Sequence, residues 1–574
     1  MVRLSPAANI VLRKRYLAKN RKGQVTETAS QLFWRIASDI ARAEQRYPAR
    51  IRLPGAAQKF YESMARLEFL PNSPTLMNAG RPLQQLAACF VLPVEDSLVS
   101  ILDAVKQQAL IHQSGGGTGF SFSRLRPKND FVASTSGVAS GPVSFMRIFN
   151  LTTDVIKQGG TRRGANMGIL RIDHPDILDF VALKRDLTEM TNFNLSVGVT
   201  GSFMRALERG QRYALVNPRT GKAATRLSAQ LVFDRIVEGA WETGEPGLIF
   251  LDKINEANPT PKLGDIEATN PCGEQPLLPY ESCTLGSIDV AKFLLPSRPQ
   301  PSLDYERLGR TIKLAVHFLD NVIDRNHYPF SHIEDATLRT RKIGLGLMGF
   351  ADLLIGLNIP YDSDEALDLA TTLMAFVQSH AHAASRQLAS QRGTFPAYRG
   401  SRPQSHRNRL RNATVTTIAP TGTISIIANC SPGIEPLYAV QVVRRALEGL
   451  SFTMLHPRFA SMIRAHGLSL AQLQPDLAAN PSIQHLSRIP RDIRRLFVTA
   501  HDISPAHHVR MQAAFQRYSD SGVSKTINMP STATKADVAD AFLLAHRLGC
   551  KGLTVFRTGS RDEQILSCSP TQPC

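Results

Sequence analysis

Residues Asn270 to Leu285 read NPCGEQPLLPYESCTL, with one cysteine wedged between Asn-Pro and Gly-Glu and a second eleven positions further on. Pro271 and Gly273 favour a tight turn around the first of these, Cys272. The chain carries seven cysteines, at 89, 272, 283, 430, 550, 568 and 574, an odd and scattered set. Its start, MVRLSPAANIVLRKRYLAKNRKG, lacks the apolar region of a secretion signal. Such a set favours reduced thiols and redox chemistry over a disulfide scaffold.

Around that stretch lie 574 residues, too many for one ordinary core, so two or more domains or one large barrel with appendages are expected. With 43% hydrophobic and 20% charged residues the chain reads as a globular enzyme, which excludes the disordered and fibrous classes. No apolar run approaches the roughly 20 residues of a spanning helix, so the expectation is a soluble, cytoplasmic protein without a membrane partner. The net charge of +19 suits either a polyanionic partner or a merely basic surface. Lys and Arg are spread along the chain, and no basic run is interleaved with aromatics as in nucleic-acid binders. Nucleotide phosphates would serve equally well.

Residues 1–70 read as an N-terminal helical region: Leu32, Ile36, Ile40 and Ala43 fall at helical spacing, with Thr26 and Thr28 as candidate caps. Short apolar segments then alternate with longer amphipathic ones. Leu86 to Leu92 (LAACFVL) predicts a buried strand, and Asp304 to Asp324 predicts a helix burying Leu308, Ile312, Val316, Leu319 and Ile323. This alternation argues an α/β catalytic domain over 71–558, with active-site groups on loops beyond strand ends. From Gly559 to Cys574 the polar, Pro-containing sequence predicts a mobile tail.

Three further stretches bear on chemistry. In APTGTISII, Pro420, Thr421, Gly422 and Thr423 precede Ile424, so backbone N–H groups and hydroxyls would converge on a phosphate, or simply cap a helix. SGGGTGFSFSRLRP, from Ser114 to Pro127, predicts a glycine-rich turn followed by Arg124 and Arg126, without the spacing of a P-loop. QGGTRRGAN brackets Arg162 and Arg163 with three glycines, the composition of a loop able to wrap an anion or of a solvated turn. His380 with His382 and His507 with His508 lack metal-site spacing, and Cys430 and Cys550 read as buried hydrophobes.

Taken in order, SPTLMNAG, CFVLPVEDS, NPCGEQPL, ESCTLGSI, APTGTIS, CSPGIEPLYA and SKTINMP resemble the ribonucleotide reductases, most closely the adenosylcobalamin-dependent class II. The resemblance runs from about Leu12 to Arg561. It implies a ten-stranded α/β barrel, built from two antiparallel halves of five parallel strands, with a finger loop at its centre and Cys272 at the tip. The implied role of Cys272 is a thiyl radical that takes the ribose 3′ hydrogen. Glu274 then accepts the 3′-hydroxyl proton, and Asn270 orients the sugar. Cys89 and Cys283 are implied as the reducing pair that ends as a disulfide, which requires Cα atoms about 4.4 to 6.8 Å apart.

The same resemblance implies substrate contacts at Ser73, Ala88, Cys89, Gly117, the turn Asn270, Pro271, Cys272, Gly273 and Glu274, and the segment Pro420, Thr421, Gly422, Thr423 and Ile424, the last segment holding a diphosphate. It implies effector contacts at Asp96, Ser97, Leu98 and Arg126, with the loop of Arg162 and Arg163 reading a deoxynucleoside triphosphate. Cys568 and Cys574 correspond to a re-reducing tail. Its expected partners are a ribonucleotide substrate, a thioredoxin-like reductant and a second copy in a homodimer. No tyrosine pair follows Tyr518, Phe556 stands where class II members commonly have Tyr, and no glycyl-radical motif is present, which leaves adenosylcobalamin as the implied cofactor. Too few residues precede SPTLMNAG for the family's ATP cone. The alternatives are a class I large subunit fed by a partner's radical and a non-catalytic nucleic-acid-binding protein.

Overall fold

Thr28 opens the second helix with a reciprocal cap: its hydroxyl accepts from the Gln31 amide while the Gln31 side chain accepts from the Thr28 N–H. Thr26, the other candidate cap, instead bonds Ala18 through its backbone. The computed structural model describes residues 2–133, 136–156, 164–295, 301–446, 450–561 and 566–567. Helices α1 (Pro6–Arg15), α2 (Ala29–Ala41) and α3 (Ala56–Ala65) gather at the N-terminus, with Leu32, Ile36, Ile40 and Ala43 all buried. Two helices stand side by side further on, α4 (Leu98–Gln113) and α5 (Pro142–Val155). The predicted long helix is α6 (Tyr305–Arg325), capped by Asp304 and burying all five expected apolar residues. Helices α7 (Ser331–Thr340) and α8 (Asp364–Arg392) follow. None is long and apolar enough to cross a membrane, among the described residues.

The centre is a ten-stranded sheet. Strands β1 (Cys89–Leu92), β2 (Gly117–Ser121), β3 (Asn166–Arg171), β4 (Phe193–Val199) and β5 (Gly247–Phe250) run parallel in that order. Strands β6 (Ser282–Asp289) and β7 (Ile343–Met348) are also parallel, as are β8 (Thr526–Met529) and β9 (Gly552–Arg557). Between them runs the segment 416–418, joined in parallel through Thr416 to Leu345 of β7 and through Ile418 to Val523 just ahead of β8. The two five-membered runs meet antiparallel at β1 with β6 and at β5 with β9, which closes the ring. Phe69–Pro71 pairs antiparallel with the far half of β6. The α/β expectation and the two-halved barrel are therefore what the strand pairing forms.

One expectation changes. Within Ser114 to Pro127, turns form only before and after the middle, because Gly117–Ser121 is β2, a fully buried strand. Its glycines are spaced two apart and face the barrel interior, where backbone from another segment passes. A Cβ on Gly119 would lie 1.7 Å from the Thr269 carbonyl oxygen, and one on Gly117 would lie 2.9 Å from Pro271 Cγ. Of the C-terminal stretch from Gly559, Arg561 is held by Glu245 at 2.5 Å and by the Thr243 carbonyl at 2.9 Å. Cys568 and Cys574 lie outside the described residues.

Candidate active site

Cys89 begins β1 and Cys283 is the second residue of β6, and the antiparallel register sets them directly opposite one another. Residues so paired have Cα atoms roughly 4.5 to 5.5 Å apart, inside the disulfide range. Neither is in a disulfide, and both are buried. The pairing covers only two positions, so these cysteines sit at the waist where the two halves of the barrel meet.

The finger enters at the same level. Ala268–Thr269 and Pro276–Leu277 form a short antiparallel ladder, and the six residues between them make the tip. Gly273, at φ 79°, donates its N–H to the Asn270 carbonyl, and the Asn270 side-chain oxygen accepts from the Gln275 amide at 2.9 Å. With its oxygen thus fixed, the Asn270 amide donates to Cys89 Sγ at 3.2 Å. Three residues from elsewhere in the barrel hold the tip. Asn194 Nδ2 donates to the Pro271 carbonyl at 2.8 Å, while the Thr417 hydroxyl and the Gly522 N–H donate to the Glu274 carbonyl at 2.9 and 2.8 Å. Gly522 is glycine by necessity, since a Cβ there would lie 2.5 Å from the Gly273 oxygen. Cys272 is exposed whereas Glu274 is buried.

The charges beneath the tip are buried and paired. Glu281 accepts from Lys342 Nζ at 2.6 Å, from the Thr340 hydroxyl at 2.7 Å and from the Leu278 amide at 2.7 Å. Burial pushes the Cys283 thiol well above its ordinary value; Lys342 works against this, and Glu281 and Glu274 add to it. Lys551 donates to the carbonyls of Asp520 and Ser521, next to Gly522. Burial pulls its ammonium down to about 8, opposed by Asp520 and helped by Lys342.

Other expected residues gather around this centre to differing degrees. Ala88 donates its N–H to the Cys283 carbonyl at 3.2 Å and accepts from Gly117 N–H at 2.9 Å. Ser73 opens a short helix, its hydroxyl 2.8 Å from that of Tyr16. Pro420 to Thr423 follow the 416–418 segment directly; Thr421 takes φ 52°, and its hydroxyl accepts from the Gly433 amide at 2.7 Å. Ile424 begins a helix of five residues. Asp96 lies apart, binding Arg126 twice, at 2.8 Å to Nε and 3.1 Å to the backbone N–H. Ser97 caps α4, and Leu98 is exposed. Arg162 and Arg163 lie outside the described residues. The histidines prove structural: His382 pairs with Asp520 at 2.8 Å, and His508 is buried against the Ala500 carbonyl. Cys550 is buried and Cys430 half-buried.

Asn194, Thr417, Gly522 and Lys551 were not singled out from sequence. A glycine inside a strand does signal close backbone approach, so Gly117 and Gly119 carried a legible sign; the other contacts are made across the barrel.

The family profile described as ribonucleotide reductase, barrel domain, matches residues 87–556, and the one described as ribonucleotide reductase, all-alpha domain, matches residues 2–84. The chain belongs to the ribonucleotide reductase family. The vitamin B12-dependent ribonucleoside-diphosphate reductase of Thermoplasma acidophilum is 48% identical, over 98% of this chain and 80% of that protein. The protein of the same name from Mycobacterium tuberculosis is 49% identical, over 100% of this chain and 82% of that one. In fold, this ribonucleotide reductase is similar to the Actinobacillus ureae class Id ribonucleotide reductase alpha subunit, with a TM-score of 0.79, 24% identity and 97% of each chain covered.

Proposed function

We propose that this chain is a cobalamin-dependent ribonucleoside-diphosphate reductase, converting ribonucleotides to 2′-deoxyribonucleotides as DNA precursors. The observation that carries the reading is the cross-strand pairing of Cys89 with Cys283, with Asn270 of the finger hydrogen-bonded to Cys89. Two thiols so placed can supply two electrons and close a disulfide without moving the strands. The relatives named for vitamin B12 dependence, at 48% and 49% identity, support adenosylcobalamin as cofactor.

The exposure of Cys272 fits such a group, because the one tip thiol is reachable from outside while Cys89 and Cys283 are enclosed. When bound, the cofactor supplies a carbon-centred radical by homolysis of its Co–C bond. Cys272, as thiyl, removes the 3′ hydrogen of the ribose. Glu274 takes the 3′-hydroxyl proton, and the 2′-hydroxyl leaves as water with a proton from the Cys89 and Cys283 pair. One of those thiols gives a hydrogen atom to C2′; the pair ends as a disulfide by giving up a second electron, which with the proton returned by Glu274 restores the 3′-hydroxyl, and Cys272 returns its hydrogen to C3′. Asn270 orients the sugar, Ser73, Ala88, Gly117, Pro271 and Gly273 line it, and Pro420 to Ile424 hold the diphosphate.

A deoxynucleoside triphosphate effector would contact Asp96, Ser97, Leu98 and Arg126, with Arg162 and Arg163 relaying its identity. Leu98, Val99 and Leu102 of α4 and Leu151 and Val155 of α5 are exposed side by side, an apolar face suited to a second copy in a homodimer. A thioredoxin-like reductant would act through Cys568 and Cys574. A cytoplasmic location keeps these thiols reduced.

The test is reduction of ribonucleoside diphosphates with adenosylcobalamin and a dithiol, no second protein being added. Turnover is expected with the wild type and none with Cys272→Ser, since oxygen does not act as a reversible hydrogen carrier. Activity that needs a second protein, or that survives in the variant, would overturn the reading.

A further inference from the structure

Away from the barrel centre a cavity of about 370 Å³ lies between the loop that leads into the finger, the end of α7 and the loop 396–400. That volume is in the range of small-ligand clefts. Lys262, Arg339 and Arg399 line it, and no aspartate or glutamate does. None of the three has an ion-pair partner among the described residues; even Asp335, one turn before Arg339 on α7, makes no bridge to it. Three exposed cations around one concavity repel each other, and an anion between them removes that repulsion.

The cavity also has features of a built site. Thr260 lines it, is 1% exposed, and its hydroxyl has no hydrogen-bond partner among the described residues. A buried hydroxyl without a partner is costly unless a ligand supplies one. The Lys262 stem is laid across Gly400, where a Cβ would come within 2.7 Å of Lys262 Cδ. Gly400 has φ 85°, so both its conformation and its missing side chain suit this cradle. Leu263 and Pro396 add apolar lining. The loops are fixed to each other by Arg402, whose N–H donates to the Pro259 carbonyl at 2.9 Å.

We infer that this cavity is a second anion site, separate from the catalytic centre, that binds a chain of phosphates. Guanidinium forks and an ammonium match phosphate oxygens, and Thr260 adds a neutral donor. Two connections run from it to the cysteines. Asn258 fastens its loop through the Gly264 carbonyl at 2.9 Å, and Asn255 exchanges bonds with Ile266 at 2.8 and 2.9 Å, two residues before the finger ladder. Arg339 adjoins Thr340, which holds Glu281, two positions before Cys283. A phosphate chain here would tie the finger base to the strand of the reducing pair.

The experiment is calorimetric titration of wild type and of the variant carrying Arg339→Glu and Arg399→Glu with inorganic tripolyphosphate and, separately, with ATP. The wild type is expected to show a saturable tripolyphosphate site that the variant binds about 10-fold or more weakly, with basal reductase turnover unchanged because no catalytic group is touched. Gly400→Ala, which displaces Lys262, should weaken the same site. If ATP stoichiometry falls by one per chain in the charge-reversed variant, the phosphates belong to a nucleotide; if only tripolyphosphate binding falls, they belong to a free chain. Should the double variant not fold, Lys262→Met reads the same isotherm. Identical tripolyphosphate binding by wild type and folded variants would overturn the site.

Discussion

Cys89 and Cys283 are 194 positions apart in the chain, yet share one rung of a strand ladder. If they form the reducing pair, Cys89→Ser or Cys283→Ser should abolish multiple turnovers while leaving the radical step at Cys272 observable by electron paramagnetic resonance. Peptide mapping after one turnover without external reductant should find a Cys89–Cys283 bridge, and a bridge from Cys272 or Cys430 would disprove the assignment. Asp289, which ends β6, offers a pH test. Burial raises its carboxyl to about 7, with Lys292 opposing and Asp352 adding. A folded value above the unfolded one of about 3.9 means that the native state holds the extra proton, so stability falls as pH rises from about 4 to 7. The span is up to roughly 4 kcal/mol. Asp289→Asn, which can still accept from the Ala291 amide, should flatten that fall in urea unfolding across the window.

The finger is positioned by what its neighbours lack. Gly119→Ala would put a methyl at 1.7 Å from the Thr269 oxygen, and neither atom belongs to a flexible side chain. Such overpacking costs about 1 to 3 kcal/mol or more, and here the strain is released only by moving the finger. Turnover is expected to fall by about 100-fold or more, because small displacements of reacting groups are costly at this level. Far-UV circular dichroism should show the barrel retained; unchanged kcat would show that the finger tolerates the shift. The strand–helix pattern itself was readable where one face is apolar, as in α2 and α6. The glycine-rich stretch misled at β2 because glycine's usual meaning, a turn, competes with close approach of another backbone.

Across the molecule, a buried ionic network joins the N-terminal helices to the barrel's outer helices. Arg392, at the end of α8, bridges Glu44 at 2.7 Å and Asp320 of α6 at 3.0 Å. Arg341 binds Asp320 and Asp324, each at 2.8 Å, and the Tyr47 hydroxyl donates to Asp324. Burial alone would raise the Glu44 carboxyl, but hydrogen bonds from His317 and Asn321 hold it at about 2. Asp320→Ala would leave three guanidinium groups, those of Arg341, Arg392 and Arg411, buried and short of a charge partner, at a cost of about 3 to 5 kcal/mol. The expected outcome is a lower urea midpoint, with Trp34 fluorescence in α2 reporting whether the N-terminal helices detach first. A midpoint within error of wild type would show that the network contributes nothing net.

What the sequence determined alone was local or compositional. Periodicity marked α2 and α6, Pro271 and Gly273 marked the turn at Cys272, and the ordered motifs from SPTLMNAG to SKTINMP marked the family. Only the tertiary structure decided that Gly117, Gly119 and Gly522 are gaps for the finger, that Asn194 and Thr417 hold its tip, and that Lys262, Arg339 and Arg399 share a cavity. The physical reason is that side-chain periodicity reports which face of an element is buried, whereas these contacts depend on which distant element covers it.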